Sequence, residues 1–186
     1  FSALFIFLAL KNFFKRFLPF MPTRFFLSSF VLLLLVSCQS KTNGLFQSLS
    51  SSETGVTFAN NLEKKPNFNI LYYLYYYNGG GVATGDINND GLPDLYFTAN
   101  RKGGNKLYLN KGAFKFEDIT EKAGVAGTAD WCSGVTMADI NGDGLLDIYV
   151  SAVSKVYGLK GHNLLYINNG NQTFTEKSAE YGLNFS

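Results

Sequence analysis

Acidic residues and glycine are missing from the start of this chain. Residues 1–37 contain no Asp, Glu or Gly, yet hold four basic residues (Lys11, Lys15, Arg16, Arg24) and ten of the 18 Phe. All 14 acids, all 19 Gly and all 11 Tyr lie in residues 38–186, where twelve cations face those 14 acids. The formal net charge of +2 therefore belongs to a leading segment and points to no nucleic-acid partner. Cysteine is scarce, with only Cys38 and Cys132 present. Helix-period segments are scarce too, the best being single turns at 119–123 and 178–181. No apolar run reaches the roughly 20 residues a membrane-spanning helix needs. Fibrous, coiled-coil and multi-span membrane classes are excluded. G-x-S-x-G, H-E-x-x-H, C-x-x-C and phosphate-loop patterns are also absent. His162 is the only His and sits in a Gly-rich stretch, a poor setting for a general base.

The leading segment reads as an address. Residues 21–38 are MPTRFFLSSFVLLLLVSC. Met21 and Arg24 make a short positive start, and residues 25–37 form a 13-residue apolar region. The ending Leu35-Val36-Ser37-Cys38 resembles the bacterial lipobox, in which the Cys becomes the lipidated first residue. This implies a signal peptide over 21–37, lipidation at Cys38, and a lipid-anchored protein of the bacterial cell envelope (outer membrane, periplasmic or surface-facing). Residues 1–20 are expected to be upstream sequence that precedes the true start at Met21, or else a truncated extension. Residues 38–45 form a tether to the domain beyond. With Cys38 lipidated no internal disulfide is possible, and Cys132 reads as a small buried hydrophobe.

Residues 46–186 form a repeat. GVATGDINNDGLPDLYFTA (81–99) aligns with GVTMADINGDGLLDIYVSA (134–152), and NKLYLNKG (105–112) with NLLYINNG (163–170). Phe116 then pairs with Phe174, and Gly124 with Gly182. The second unit carries five extra residues within 155–161. Upstream, FQSLSSSETGV (46–56) resembles the unit end FEDITEKAGV (116–125). Each unit offers about four short strands split by Gly/Asn turns, so the fold class is all-β, with propeller blades as the architecture. About two and a half blades are present. They cannot close a ring of about four to eight blades, so an N-terminal fragment of a longer protein is expected.

The chemistry lies in two acidic loops. Asp86, Asn88, Asp90, Gly91 and Asp94 share the spacing D-x-N-x-D-G-x-x-D with Asp139, Asn141, Asp143, Gly144 and Asp147. Oxygens at alternating positions let a tight loop wrap a hard cation, and Leu92 and Leu145 would add a backbone carbonyl. Ca2+ suits this oxygen number better than Mg2+, so two calcium ions are expected, one per loop. Position 12 is Phe97 or Val150 instead of Glu, which excludes an EF-hand. Lying on separate blades, the two sites are expected to act independently.

These loops, with Gly-Val before and Leu/Ile-Tyr after, resemble the FG-GAP/VCBS repeats of integrin α-subunit propellers. They are similar to bacterial UnbV/ASPIC-type, cartilage acidic protein-like proteins, although no UnbV/ASPIC region is present. The resemblance covers roughly residues 44–186 and implies one calcium per blade loop. The expected function is a calcium-binding scaffold for a protein or glycan ligand, without catalysis of its own. The alternative is part of a propeller-type, lyase-like polysaccharide-degrading enzyme whose active residues lie mostly outside this sequence. The tyrosines of ILYYLYYYN (70–78) are expected on a strand with one buried face, and Trp131 in the blade core.

Overall fold

The computed structural model describes residues 44–185. The signal segment, Cys38 and most of the tether lie outside the described residues. The chain divides into two units, 1–47 and 48–186, and only the second is considered below. Among the described residues no helix is long and apolar enough to cross a membrane.

Eight strands make two antiparallel meanders, each in sequential order. The first blade comprises β1 (Val82–Gly85), β2 (Asp94–Phe97), β3 (Lys106–Asn110) and β4 (Phe116–Asp118). The second comprises β5 (Cys132–Ala138), β6 (Asp147–Ala152), β7 (Leu164–Asn168) and β8 (Phe174–Glu176). In each central pair an aromatic faces an aliphatic: Tyr96 opposes Leu107 on one blade, Tyr149 opposes Leu165 on the other. Two single-turn helices, α1 (Ser51–Thr54) and α2 (Thr120–Ala123), end at left-handed Gly55 and Gly124. Residues 46–56 thus share the single-turn helix and left-handed Gly found in 116–125. A capping box fixes α1: Ser50 Oγ accepts from Glu53 N, while Ser50 N donates to the Glu53 carboxylate at 2.8 Å.

The main core lies between the blades. Ile87, Tyr96, Leu107 and Leu109 of the first meet Ile148, Val150, Leu164 and Tyr166 of the second. Ile119, Ala123 and Val125, at and around α2, complete it. Alternation along the strands explains this, since a pleat sends every second side chain to one face. Tyr96 is fully buried because its hydroxyl is satisfied, donating to Val125 O at 2.7 Å and accepting from Asn105 Nδ2 at 3.0 Å.

Strand β1 packs on β5, most closely at Gly85. A Cβ on Gly85 would lie 2.6 Å from Leu146 Cδ1 and 2.9 Å from Met137 Sδ. Gly85→Val is therefore expected to cost about 1–3 kcal/mol, as overpacked cores do. A thermal melt reads this, and an unchanged midpoint would mean that the Leu146 and Met137 side chains swing aside without cost.

Three expectations are corrected. Residues 70–78 form successive turns, not a strand. Tyr72 N and Tyr73 N both bond Asn69 O, Tyr76 N bonds Tyr73 O, and Asn78 N bonds Tyr75 O, so these amides are spent locally. The stretch 178–181 is a turn and not a helix. Tyr181 N reaches Lys177 O, but Gly182 N and Leu183 N close back on Ala179 and Ser178, so no second helical bond follows. Trp131 sits outside the blade core, in a separate cluster with Phe68, Tyr76 and Leu159. Cys132 is buried and unbonded to sulfur, and burial pushes its thiol up to about 11.

Candidate metal centre

Both acidic loops join the first two strands of a blade, at the same end of each meander. Their turns are built alike. Asp90 N donates to Asp86 Oδ1 at 3.1 Å and to Asn88 Oδ1 at 3.3 Å. Asp143 N donates to Asp139 Oδ1 at 3.1 Å and to Asn141 Oδ1 at 3.0 Å. Gly91 N and Gly144 N hold the other oxygens, Asp86 Oδ2 and Asp139 Oδ2, at 2.7 and 2.9 Å. Gly91 and Gly144 have φ of 83° and 84°, the left-handed turn that the sixth position requires of a residue without Cβ. Asp90 Oδ1 and Asp143 Oδ1 accept from Leu92 N and Leu145 N. The oxygens of positions 1, 3 and 5 are thus gathered on one small set of amides.

The ninth position sits elsewhere. Asp94 Oδ2 accepts from Ile87 N at 3.0 Å, and Oδ1 from Asn110 N at 2.7 Å. Asp147 repeats this with Ile140 N at 2.9 Å and Asn168 N at 2.8 Å. Both carboxylates are fully buried, and burial raises the Asp94 carboxyl above the usual carboxylate range despite those two amides. They pin each loop to its third strand. Among the described residues no group of three or more His, Cys, Asp or Glu side chains gathers as a metal cluster. The donors themselves fit a hard cation, since all are oxygens. In the second loop Asp139 Oδ1 also accepts from Gly142 N at 2.7 Å, a bond the first loop lacks.

Two residues of the loop frame were missed in the sequence. Asn110 Nδ2 donates to Pro93 O, and Asn168 Nδ2 to Leu146 O and to Ile87 O of the other blade. Their signal was the Asn that ends both LYLN and LYIN. The loops also touch: Asn89 Nδ2 donates to Gly144 O at 3.2 Å. The two candidate sites are therefore neighbours across the blade interface. Their other surroundings differ, for the first loop is half-buried at Asp86 and Asn88, while Asp139, Asn141 and Asp143 are exposed.

Residues 86–150, which run from the first acidic loop through most of β6, match the FG-GAP-like repeat model. The chain therefore carries FG-GAP-like repeat sequence over residues 86–150. Cartilage acidic protein 1 of Xenopus tropicalis is 41% identical over 73 residues, 39% of this chain and 11% of that protein. The human protein of the same name is 37% identical over 93 residues, 50% of this chain and 13% of its own length. The chain thus spans about an eighth of the relatives it matches. The two FG-GAP sheets are blade-like, and FG-GAP repeats are not themselves catalytic.

Proposed function

We propose that this chain is the calcium-stapled repeat region of a lipid-anchored envelope protein, serving as a scaffold for a protein or glycan ligand. One observation carries the calcium reading: two loops hold the oxygens of positions 1, 3 and 5 on the same amides with the same geometry. Asp86, Asn88, Asp90 and the Leu92 carbonyl would hold one ion, and Asp139, Asn141, Asp143 and the Leu145 carbonyl the other, with Asp94 and Asp147 framing each site. Calcium would supply positive charge between carboxylates that otherwise have only amides to offset their repulsion. Asp86 and Asp90 close the turn on its own amides, and Asp94 keeps that turn registered on β3. Isothermal titration with Ca2+ tests this. Two ions per chain are expected, at about 10⁻⁴–10⁻³ M as in extracellular calcium modules. No uptake at millimolar Ca2+ would end the reading.

The anchor rests on Leu35-Val36-Ser37-Cys38. Cys38→Ser is expected to abolish lipid incorporation and cleavage before residue 38, read by mass spectrometry and membrane fractionation. A Ser variant that still carries lipid removes the lipobox.

A further inference from the structure

The end of the blades opposite the acidic loops presents an unusual surface. Leu71, Leu74, Tyr77, Tyr75 and Tyr72 are 87%, 78%, 71%, 62% and 56% exposed within one seven-residue stretch. They are held in place from below. Phe68, Tyr73 and Tyr76 pack on Trp131 with ring centroids 4.9, 6.0 and 5.4 Å away. From the β6–β7 connection, Tyr157 OH donates to Tyr72 O at 2.7 Å. The segment is thus a braced loop with its apolar side chains outward.

Cations surround it. Lys65, Arg101 and Lys102 line a cleft beside Phe68 and Trp131, facing Glu63 and Asp130. Lys64 adjoins them in sequence, and Lys155 and Lys160 flank Tyr157 in the β6–β7 connection. The segments forming this end (59–81, 98–105, 126–131 and 153–163) hold six cations and two carboxylates. The rest of residues 44–185 holds five cations and twelve carboxylates. Among the described residues the ion pairs are Lys106–Asp118, Lys111–Glu117 and Lys177–Glu180, so none of the six is engaged in one.

We propose that this loop end docks on a membrane surface of anionic phospholipid, with Leu71 and Leu74 entering the interface and the tyrosines at headgroup level. Exposed leucines beside tyrosines and unpaired cations are the chemistry of an interfacial anchor. Each cation near an anionic leaflet adds to attraction, while the carboxylate-rich loops at the far end are repelled. A sugar platform would use ring faces, which the leucines lack. The proposal rests on the lipid anchor: a tether over 38–45 reaches at most about 28 Å. Lys115 of the β3–β4 connection donates to Glu53 O at the acidic-loop end. That tether must therefore also run the roughly 15–20 Å height of a blade for the opposite end to dock.

The test uses the full chain, reconstituted in phosphatidylglycerol–phosphatidylcholine vesicles whose acyl chains carry bromine. Leu74→Trp adds a reporter on the proposed face, and Phe114→Trp adds one in the exposed β3–β4 connection at the other end. Bromolipid is expected to quench the added Leu74→Trp emission roughly two-fold and to leave Phe114→Trp unchanged. Adding Lys65→Glu and Arg101→Glu, or high salt, should restore the emission. Protein that floats with vesicles but shows no quenching at position 74 overturns the docking and leaves the anchor intact. The same holds if the face binds a glycan or a protein instead. Protein that fails to float overturns both readings.

Discussion

Asp147→Ala is expected to lower the thermal midpoint by about 10 °C, and Asp94→Ala by a similar amount. Each carboxylate accepts one backbone amide on each oxygen, at 2.7–3.0 Å. Ile87 N and Asn168 N lie in buried surroundings and would lose their acceptors. A stranded buried donor costs about 1–3 kcal/mol, more where the lost partner was charged, so roughly 2–5 kcal/mol follows per substitution. The loss should be as large in chelator as in calcium, because the bonds are to backbone. Differential scanning calorimetry in both buffers decides it. A drop confined to calcium buffer would make Asp94 and Asp147 ligands alone.

Calcium itself is expected to raise the midpoint. Ten-fold above a millimolar-range dissociation constant, each ion contributes about 1.4 kcal/mol. Asp90→Ala and Asp143→Ala each remove the fifth-position oxygens, which accept from Leu92 N and Leu145 N. Each should delete one ion and about half of the calcium-dependent rise. Strict additivity is not expected, contrary to the sequence-based expectation of independent sites. Asn89 Nδ2 bonds Gly144 O, and Asn168 Nδ2 bonds Ile87 O, so each loop is partly held by the other blade. Coupling of about 0.5 kcal/mol or more is therefore expected in the double variant. A calorimetric double-mutant cycle with zero coupling, or retention of two ions in either single variant, contradicts it.

The all-β class and the blade-like meanders were readable in the chain. Strand alternation and left-handed Gly turns are local properties, and the offset between GVATGDINNDG and GVTMADINGDG exposed them twice. The loops' first, third and fifth positions were readable for the same reason, since a nine-residue turn closes on its own amides. The ILYYLYYYN run was misread because its residues favour strands. Asn69 O, Tyr73 O and Tyr75 O hold those amides in turns, so they are not offered to a partner strand.

Sequence by itself determined the blade strands, the turns of the acidic loops and the apolar faces of the strands, because each depends on residues within a few positions. The tertiary structure decided three further matters. It buried Asp94 and Asp147, each between an amide of its own loop and one of the third strand, and it set the two loops against one another. It also gathered the cations of four distant segments at the end away from the acidic loops. Each is a long-range arrangement, settled only when β1 packs on β5 and strand direction sends successive connections to opposite ends.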